Sequence, residues 1–306
     1  MRLRIHVEPT EVGAAYDVLT RAARAAEEFG FDGFFRSDHY LKFGTRGGAT
    51  GPSDAWTSLA GLARDTTRIR LGTLVSPVTF RSPGQLAIQV AEVDQMSGGR
   101  VELGLGTGWF EAEHIAYGIP FPDQRFARLE EQLDILTGLW QSAPGEVFSY
   151  HGDHYRLHEA HPPLPTVQRP YPPIIIGGMG TRRSPALAAR YANEYNALMA
   201  APAAAGALFD RVRQLATELG RADGSIAFSV LQTLCCGETD AEVSRRAAAL
   251  GEPLGPDAFA GTTDAVVDRL GRYAEAGATR AYLRVLDLAD LDQLELVAAK
   301  VLPQLS

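Results

Sequence analysis

The stretch Arg21-Ala-Ala-Arg-Ala-Ala-Glu-Glu-Phe-Gly-Phe-Asp-Gly-Phe-Phe-Arg-Ser-Asp-His39 holds the unit from which the fold follows. It reads as a helix through Glu28, a stop at Gly30, a short apolar strand from Phe31 to Phe35, and a polar end at Ser37, Asp38 and His39. Glycine at the stop permits the left-handed turn that ends a helix and sends the chain into the next strand. The same order returns downstream: Val90 to Met96, Gly98 and Gly99, then Val101 to Leu105; and Val266 to Ala276, Gly277, then Tyr282 to Leu286.

Helices alternating with strands of about five residues imply parallel β/α units, because parallel strands need a long crossover connection. The pattern predicts strands near 2–7, 32–37, 69–75, 101–106, 173–177, 194–198, 226–234 and 280–285. Eight strands close an α/β barrel, and 306 residues suit a fold that typically takes ~250 plus insertions. An open doubly wound sheet shows the same local alternation, so periodicity alone does not separate the two. The expected architecture is one (β/α)8 TIM-barrel domain over residues 1–306, with a small insertion at 144–172 after the fourth β/α unit. In the insertion, Val147, Phe148, Tyr150, Tyr155 and Leu157 alternate with polar residues as in a hairpin. A connector with Pro162, Pro163, Pro165, Pro170, Pro172 and Pro173 follows and disfavours helix. The Gly-rich stretch Leu41 to Pro52 follows a strand end and is expected to form a lid or pocket rim.

The composition, 45% hydrophobic and 22% charged, is that of a globular chain. Lys plus Arg of 29 against Asp plus Glu of 37 gives a net charge of −8, which lacks the basic footprint of a nucleic-acid binder. Nothing approaches the roughly 20 apolar residues of a membrane span. The start, Arg2 to Val7, alternates like a strand and has no signal-peptide core. A cytoplasmic protein without nucleic-acid or membrane partners is expected. The adjacent Cys235 and Cys236 cannot make a stabilising disulfide framework and read as packing within an apolar strand.

Candidate chemistry falls directly after the strands, on what would be the carboxyl face of the barrel, where such folds keep their active sites. Asp38 and His39 offer a carboxylate and an imidazole that can hydrogen-bond a cofactor or exchange a proton. Gly106, Thr107 and Gly108 leave room for a flat ring, or form a tight turn; Trp109 packs on a ring or closes the core. The run Gly177-Gly-Met-Gly180 precedes a helix whose free N–H groups can face a phosphate, with Arg182 or Arg183 adding charge. Glu111, Glu113 and His114 read as a solvated loop or helix start, with an acid/base cluster as the alternative. His151, His154, His158 and His161 lack compact helical spacing or cysteine partners, so no metal is expected. Serine-hydrolase elbows and Walker-type loops are missing from the sequence.

Several motifs together resemble the luciferase-like monooxygenase superfamily along nearly the whole chain. They are Arg36-Ser-Asp-His39, Gly72-Thr-Leu-Val-Ser-Pro-Val-Thr-Phe-Arg-Ser-Pro83, Asp94-Gln-Met-Ser-Gly-Gly-Arg100, Leu103-Gly-Leu-Gly-Thr-Gly-Trp109 and Pro173-Ile-Ile-Ile-Gly-Gly178. Arg190-Tyr-Ala-Asn193, Gly261-Thr-Thr-Asp264 and Glu275-Ala-Gly277 complete the pattern. The Ser-Asp-His and Gly-Thr-Gly segments look more like the branch that uses the deazaflavin coenzyme F420. That resemblance implies an F420-dependent oxidoreductase acting on a small organic molecule, with FMN and reduced-flavin monooxygenation as the alternative and a non-catalytic flavin-binding protein as a third reading. It implies catalytic roles for Asp38 and His39 beside the ring, and cofactor contacts from Leu74, Val75, Ser76, Gly106, Thr107, Gly108, Gly177, Gly178, Met179 and Gly180. A cis peptide at Leu74–Val75 behind the ring and a homodimer are implied as well. In sugar-phosphate dehydrogenases of this branch an acid follows Gly-Thr-Gly; here Trp109 stands there, pointing to an apolar or aromatic substrate surface.

Overall fold

The computed structural model describes residues 1–9, 15–42 and 52–305. The chain opens with β1 (Arg2–Val7), α1 (Tyr16–Glu28), β2 (Gly33–Arg36), α2 (Ala55–Asp65), β3 (Arg70–Thr73) and the short β4 (Ser76–Pro77). It continues through α3 (Pro83–Ser97), β5 (Val101–Gly106), α4 (Glu111–Tyr117), α5 (Arg125–Gln141) and the strands β6 (Phe148–His151) and β7 (Arg156–Ala160). Then come β8 (Ile174–Gly177), α6 (Arg183–Tyr191), β9 (Glu194–Leu198), α7 (Pro202–Glu218), β10 (Ala227–Gly237) and α8 (Asp240–Leu250). The chain finishes with β11 (Phe259–Thr262), α9 (Thr263–Glu275), β12 (Arg280–Val285) and α10 (Leu291–Lys300).

The strands run in the order β12, β1, β2, β3, β5, β8, β9, β10, and β10 returns to β12, so the ring is closed and parallel throughout. Closure decides between the barrel and the open sheet: Ala227 lies opposite Glu194 on one side of β10, and Ser229 lies opposite Arg280 on the other. The eight barrel strands fall at the positions read from the sequence; β11 adds a parallel strand beyond them, against the far end of β10. Gly30, Gly98 and Gly277 all take positive φ, as their role as helix stops requires. Helix α1 shows why the outer layer forms: Leu19, Ala22, Ala23 and Ala26 make one apolar stripe, fully removed from water against the sheet.

Inside, the barrel is layered. At the amino ends of the strands Arg4 is fully buried and donates to Glu102 at 2.8 and 3.0 Å, to Tyr282 at 2.8 Å and to Glu194 at 3.4 Å. Arg70 also bonds Glu102, and Arg280 bonds Glu194. Burial alone would raise the Glu102 carboxyl, but Arg4 and Arg70 outweigh it and hold it down at about 2. Above this ionic layer Phe35, Ile175, Leu231 and Tyr282 form a small apolar plug with Leu74.

Glycines set the width of the barrel. A Cβ on Gly104 would sit 2.1 Å from the Thr73 carbonyl oxygen, a backbone atom that cannot rotate away. Gly104→Ala is therefore expected to destabilise the fold by about 1–3 kcal/mol or more through overpacking. A urea midpoint equal to that of the parent would refute the close approach.

Between α5 and β8, strands β6 and β7 form an antiparallel hairpin. It is tied to α5 by Glu131, whose carboxylate accepts from the backbone N–H groups of Asp153, His154 and Tyr155 at 2.9–3.2 Å. Both cysteines are buried and unbridged in β10. Among the described residues no helix is long and apolar enough to cross a membrane.

Candidate active site

At the carboxyl ends of the barrel strands lies a cavity of about 580 Å3, within the ~300–1,000 Å3 usual for small-molecule sites. Leu74, Val75, Leu198 and Leu231 supply apolar lining. Val75 owes its place to the glycines around it: a Cβ on Gly104, Gly106 or Gly177 would come within 2.8–3.2 Å of its methyl groups. The space that the glycines at 106 and 177 leave open is thus taken up by Val75, which itself faces the cavity. The peptide joining Leu74 to Val75 is cis, as the family resemblance implied.

His39 and Glu113 form an acid/base pair at the site. The imidazole Nδ1 lies 2.9 Å from Glu113 Oε1, and Glu113 Oε2 accepts from the backbone N–H of Tyr40 at 2.9 Å. His39 lines the cavity, whereas Glu113 is 1% exposed. The expectation of a solvated Glu113 and His114 is therefore corrected. Helix α4 turns both inward, and His114 is pinned between Thr79 Oγ1 at 2.6 Å and the Phe110 carbonyl oxygen at 2.8 Å. No local signal marked Glu113, because its partners His39 and Tyr40 lie more than seventy positions away in the chain. Trp109 does not close the core; it is 64% exposed on the cavity rim, stacked on Phe110 with ring centroids 5.2 Å apart and edge-on to His39.

Asp38 sits elsewhere than expected. It is wholly buried, accepting from Ser76 Oγ at 2.7 Å and from Arg81 at 2.5 and 3.4 Å, and it is not among the residues lining the cavity. Ser76 is likewise turned away, between Asp38 and the Trp56 indole N–H. Asp38 and Ser76 are thus held by Arg81 and Trp56 and do not line the cavity. Of the loop expected as a lid, residues 43–51 lie outside the described residues.

A second, smaller cavity of about 180 Å3 adjoins the first, sharing Thr107, Gly177, Gly178 and Met179 with it and adding Gly180 and Ser184. It lies at the N-terminus of α6, where the unpaired N–H groups of the first turn favour an anion. A Cβ on Gly178 would come 2.8 Å from Ser184 Oγ, so glycine lets the loop lie close against the first turn. Arg182 and Arg183 are exposed beside it, the latter over the Phe126 ring at 5.3 Å. The residues expected to hold a cofactor thus divide into His39, Leu74, Val75, Gly106, Thr107, Gly108, Gly177, Gly178 and Met179 on the larger cavity, Gly180 on the smaller, and Asp38 and Ser76 outside the lining of both.

The sequence reading missed the polar wall formed by His6, Glu8 and Arg284. Burial pushes the His6 imidazole down to about 4 from 6.5, against the opposing pull of Glu8 and the Leu74 carbonyl. As pH falls, the unfolded chain takes up a proton here before the folded one does. Stability carried by the neutral ring is therefore present above pH 6.5 and lost between about 6.5 and 4. His6→Phe is expected to flatten that part of the stability–pH curve, read from urea midpoints across the range. An unchanged slope would count against a buried neutral ring.

A closed (β/α)8 barrel with its cavity at the carboxyl face defines a small-molecule site of the barrel-enzyme type. Residues 2–281 match the model of the luciferase-like monooxygenase family, and the chain belongs to that family. An FMNH(2)-dependent dimethylsulfone monooxygenase from Pseudomonas putida is 31% identical over 58% of this chain and 48% of its own length. An F420-dependent glucose-6-phosphate dehydrogenase from Nakamurella multipartita is 38% identical over 53% of this chain and 46% of its own. The chain spans about half the length of these curated relatives. The solved coenzyme F420 dependent tetrahydromethanopterin reductase from Methanopyrus kandleri superposes with a TM-score of 0.83 at 19% identity, over 100% of this chain and 99% of that one, a likeness of fold.

Proposed function

We propose that this chain is an oxidoreductase with a flavin-type cofactor at the carboxyl face of the barrel and, more finely, that it transfers a hydride between coenzyme F420 and a small organic molecule. The observation that carries this reading is the pair of adjoining cavities. The larger has apolar lining from Val75 and its neighbours and suits a flat ring; the smaller, at the N-terminus of α6, suits a phosphate on the arm of the same molecule. The donor set therefore fits the group. The Ser-Asp-His and Gly-Thr-Gly segments and the 38% identical F420-dependent relative support the deazaflavin.

When bound, the deazaflavin would supply hydride exchange at C5. Protein groups do the rest. Glu113 fixes the His39 ring through Nδ1, so His39 exchanges a proton with the substrate through Nε2. Arg81 and Asp38 form an ion pair outside the cavity lining, and Trp109 offers an apolar face at the rim that excludes water from the reacting atoms.

FMN-dependent monooxygenation is the second reading, supported by the 31% identical FMNH(2)-dependent relative and by a phosphate pocket that suits FMN equally. Separate titrations of the purified protein with F420 and FMN, followed by fluorescence, distinguish the two. Tighter binding of F420, with turnover that consumes no oxygen, is expected. Preference for FMN with oxygen consumption on adding reduced flavin would replace the first reading by the second.

A further inference from the structure

His6, Glu8, Glu252 and Arg284 line the large cavity without a part in the chemistry proposed above. Arg284 is the only arginine or lysine among the described lining residues, and its guanidinium is committed. Nε and Nη2 donate to Glu8 at 2.7 and 3.1 Å, while Nη1 donates to Thr233 Oγ1 at 3.2 Å and to Glu252 at 2.5 Å. An anionic ligand would have to displace a carboxylate already in place.

His6 offers the opposite property. Its Nε2 lies 3.1 Å from the Leu74 carbonyl oxygen, which can only accept, so Nε2 carries the hydrogen and Nδ1 carries a lone pair. Nδ1 is buried and has no hydrogen-bond partner among the described residues. A buried acceptor left unmade destabilises the state that contains it, so a ligand donor placed there is favoured twice, by the bond formed and by the penalty relieved.

We infer that this wall selects the organic substrate: His6 Nδ1 accepts a hydrogen bond from a hydroxyl or amino group, and the committed Arg284 gives no hold to a phosphate or carboxylate. The inference rests on the proposed function, with the substrate sharing this cavity with the cofactor ring, and it makes His6 a specificity-determining residue. It also gives the neighbouring Glu8 a role, that of occupying Arg284.

The test uses the full chain labelled with 15N-histidine, with and without saturating F420, and three probes of one shape: benzyl alcohol, toluene and benzoate. Benzyl alcohol is expected to shift the His6 Nδ1 resonance and to bind about fivefold or more tightly than toluene, the effect of one hydrogen bond, while benzoate binds more weakly than the alcohol. In His6→Gln the side-chain amide can still donate to the Leu74 carbonyl but leaves no acceptor at the Nδ1 position, and the advantage of the alcohol over toluene should vanish. His6→Asn, which returns an amide oxygen near that position, should restore part of it. Benzoate binding more tightly than benzyl alcohol, or an Nδ1 resonance unmoved at saturating alcohol, would overturn the inference. Should the variants fold poorly, the parent spectrum alone decides it. Failure of both F420 and FMN to bind would overturn the cofactor assignment, while the response of Nδ1 to benzyl alcohol in the cofactor-free protein decides the present inference separately.

Discussion

Replacing His39 by alanine is expected to lower kcat roughly a hundred- to ten-thousandfold, the range for loss of a positioned general acid or base, while leaving cofactor binding intact. The two effects separate because the apolar lining and the phosphate pocket come from other residues, Val75 and the loop before α6 among them. Glu113→Gln should cost less than His39→Ala. His39 Nδ1 and the Tyr40 N–H use different oxygens of Glu113, so the single amide oxygen of glutamine keeps one of the two bonds and loses the other. If His39→Ala retains full turnover, His39 takes no part in proton movement and the chemistry has been assigned to the wrong side of the cavity.

The largest expected effect on stability lies at the other end of the barrel. Arg4→Met should destabilise the fold by about 3–5 kcal/mol, because it removes the guanidinium shared by Glu102 and Glu194 and leaves two buried carboxylates short of a partner. Arg70 and Arg280 keep one ion pair to each, which argues for the lower part of that range. The triple change Arg4→Met, Glu102→Leu, Glu194→Leu should recover only part of the loss, since the two carboxylates no longer need a partner but Arg70 and Arg280 lose theirs. Urea denaturation of the single and triple variants reads both numbers. A triple variant less stable than Arg4→Met would show that the ionic layer contributes more to the fold than an apolar layer of similar volume does.

The barrel was legible because its signals are local. Helix stops such as Gly30, Gly98 and Gly277 act on their immediate neighbours, and a strand of five or six residues shows in its own composition, so the eight barrel strands stand where the sequence placed them. Their order fixed a common face for the strand-end clusters, and Val75, Thr107, Trp109 and Gly177 do meet around one cavity. The parts that were not legible depend on contacts between distant segments. Glu113 is charged and sits on a short helix, which by itself says solvent; its burial follows from His39 and Tyr40, more than seventy positions away in the chain. Asp38 stood beside His39 in the sequence and invited the same role, but successive residues leaving a strand point to opposite sides, and Arg81 waited on the far one. The polar residues Arg4 and His6 gave β1 its alternation, with Glu8 just past its end, without revealing that the polar face was the inner one. Only closure of the barrel brings Glu102, Glu194 and Arg284 to meet them.

The most direct measurement is a crystal structure of the chain with F420 bound. The ring is expected against Val75 and the Gly106–Trp109 segment, with the phosphate of its arm at the N-terminus of α6. A ring bound elsewhere, such as the outer groove between α5, α6 and α7 lined by Phe126 and Leu219, would contradict the assignment of the strand-end cavity as the cofactor site.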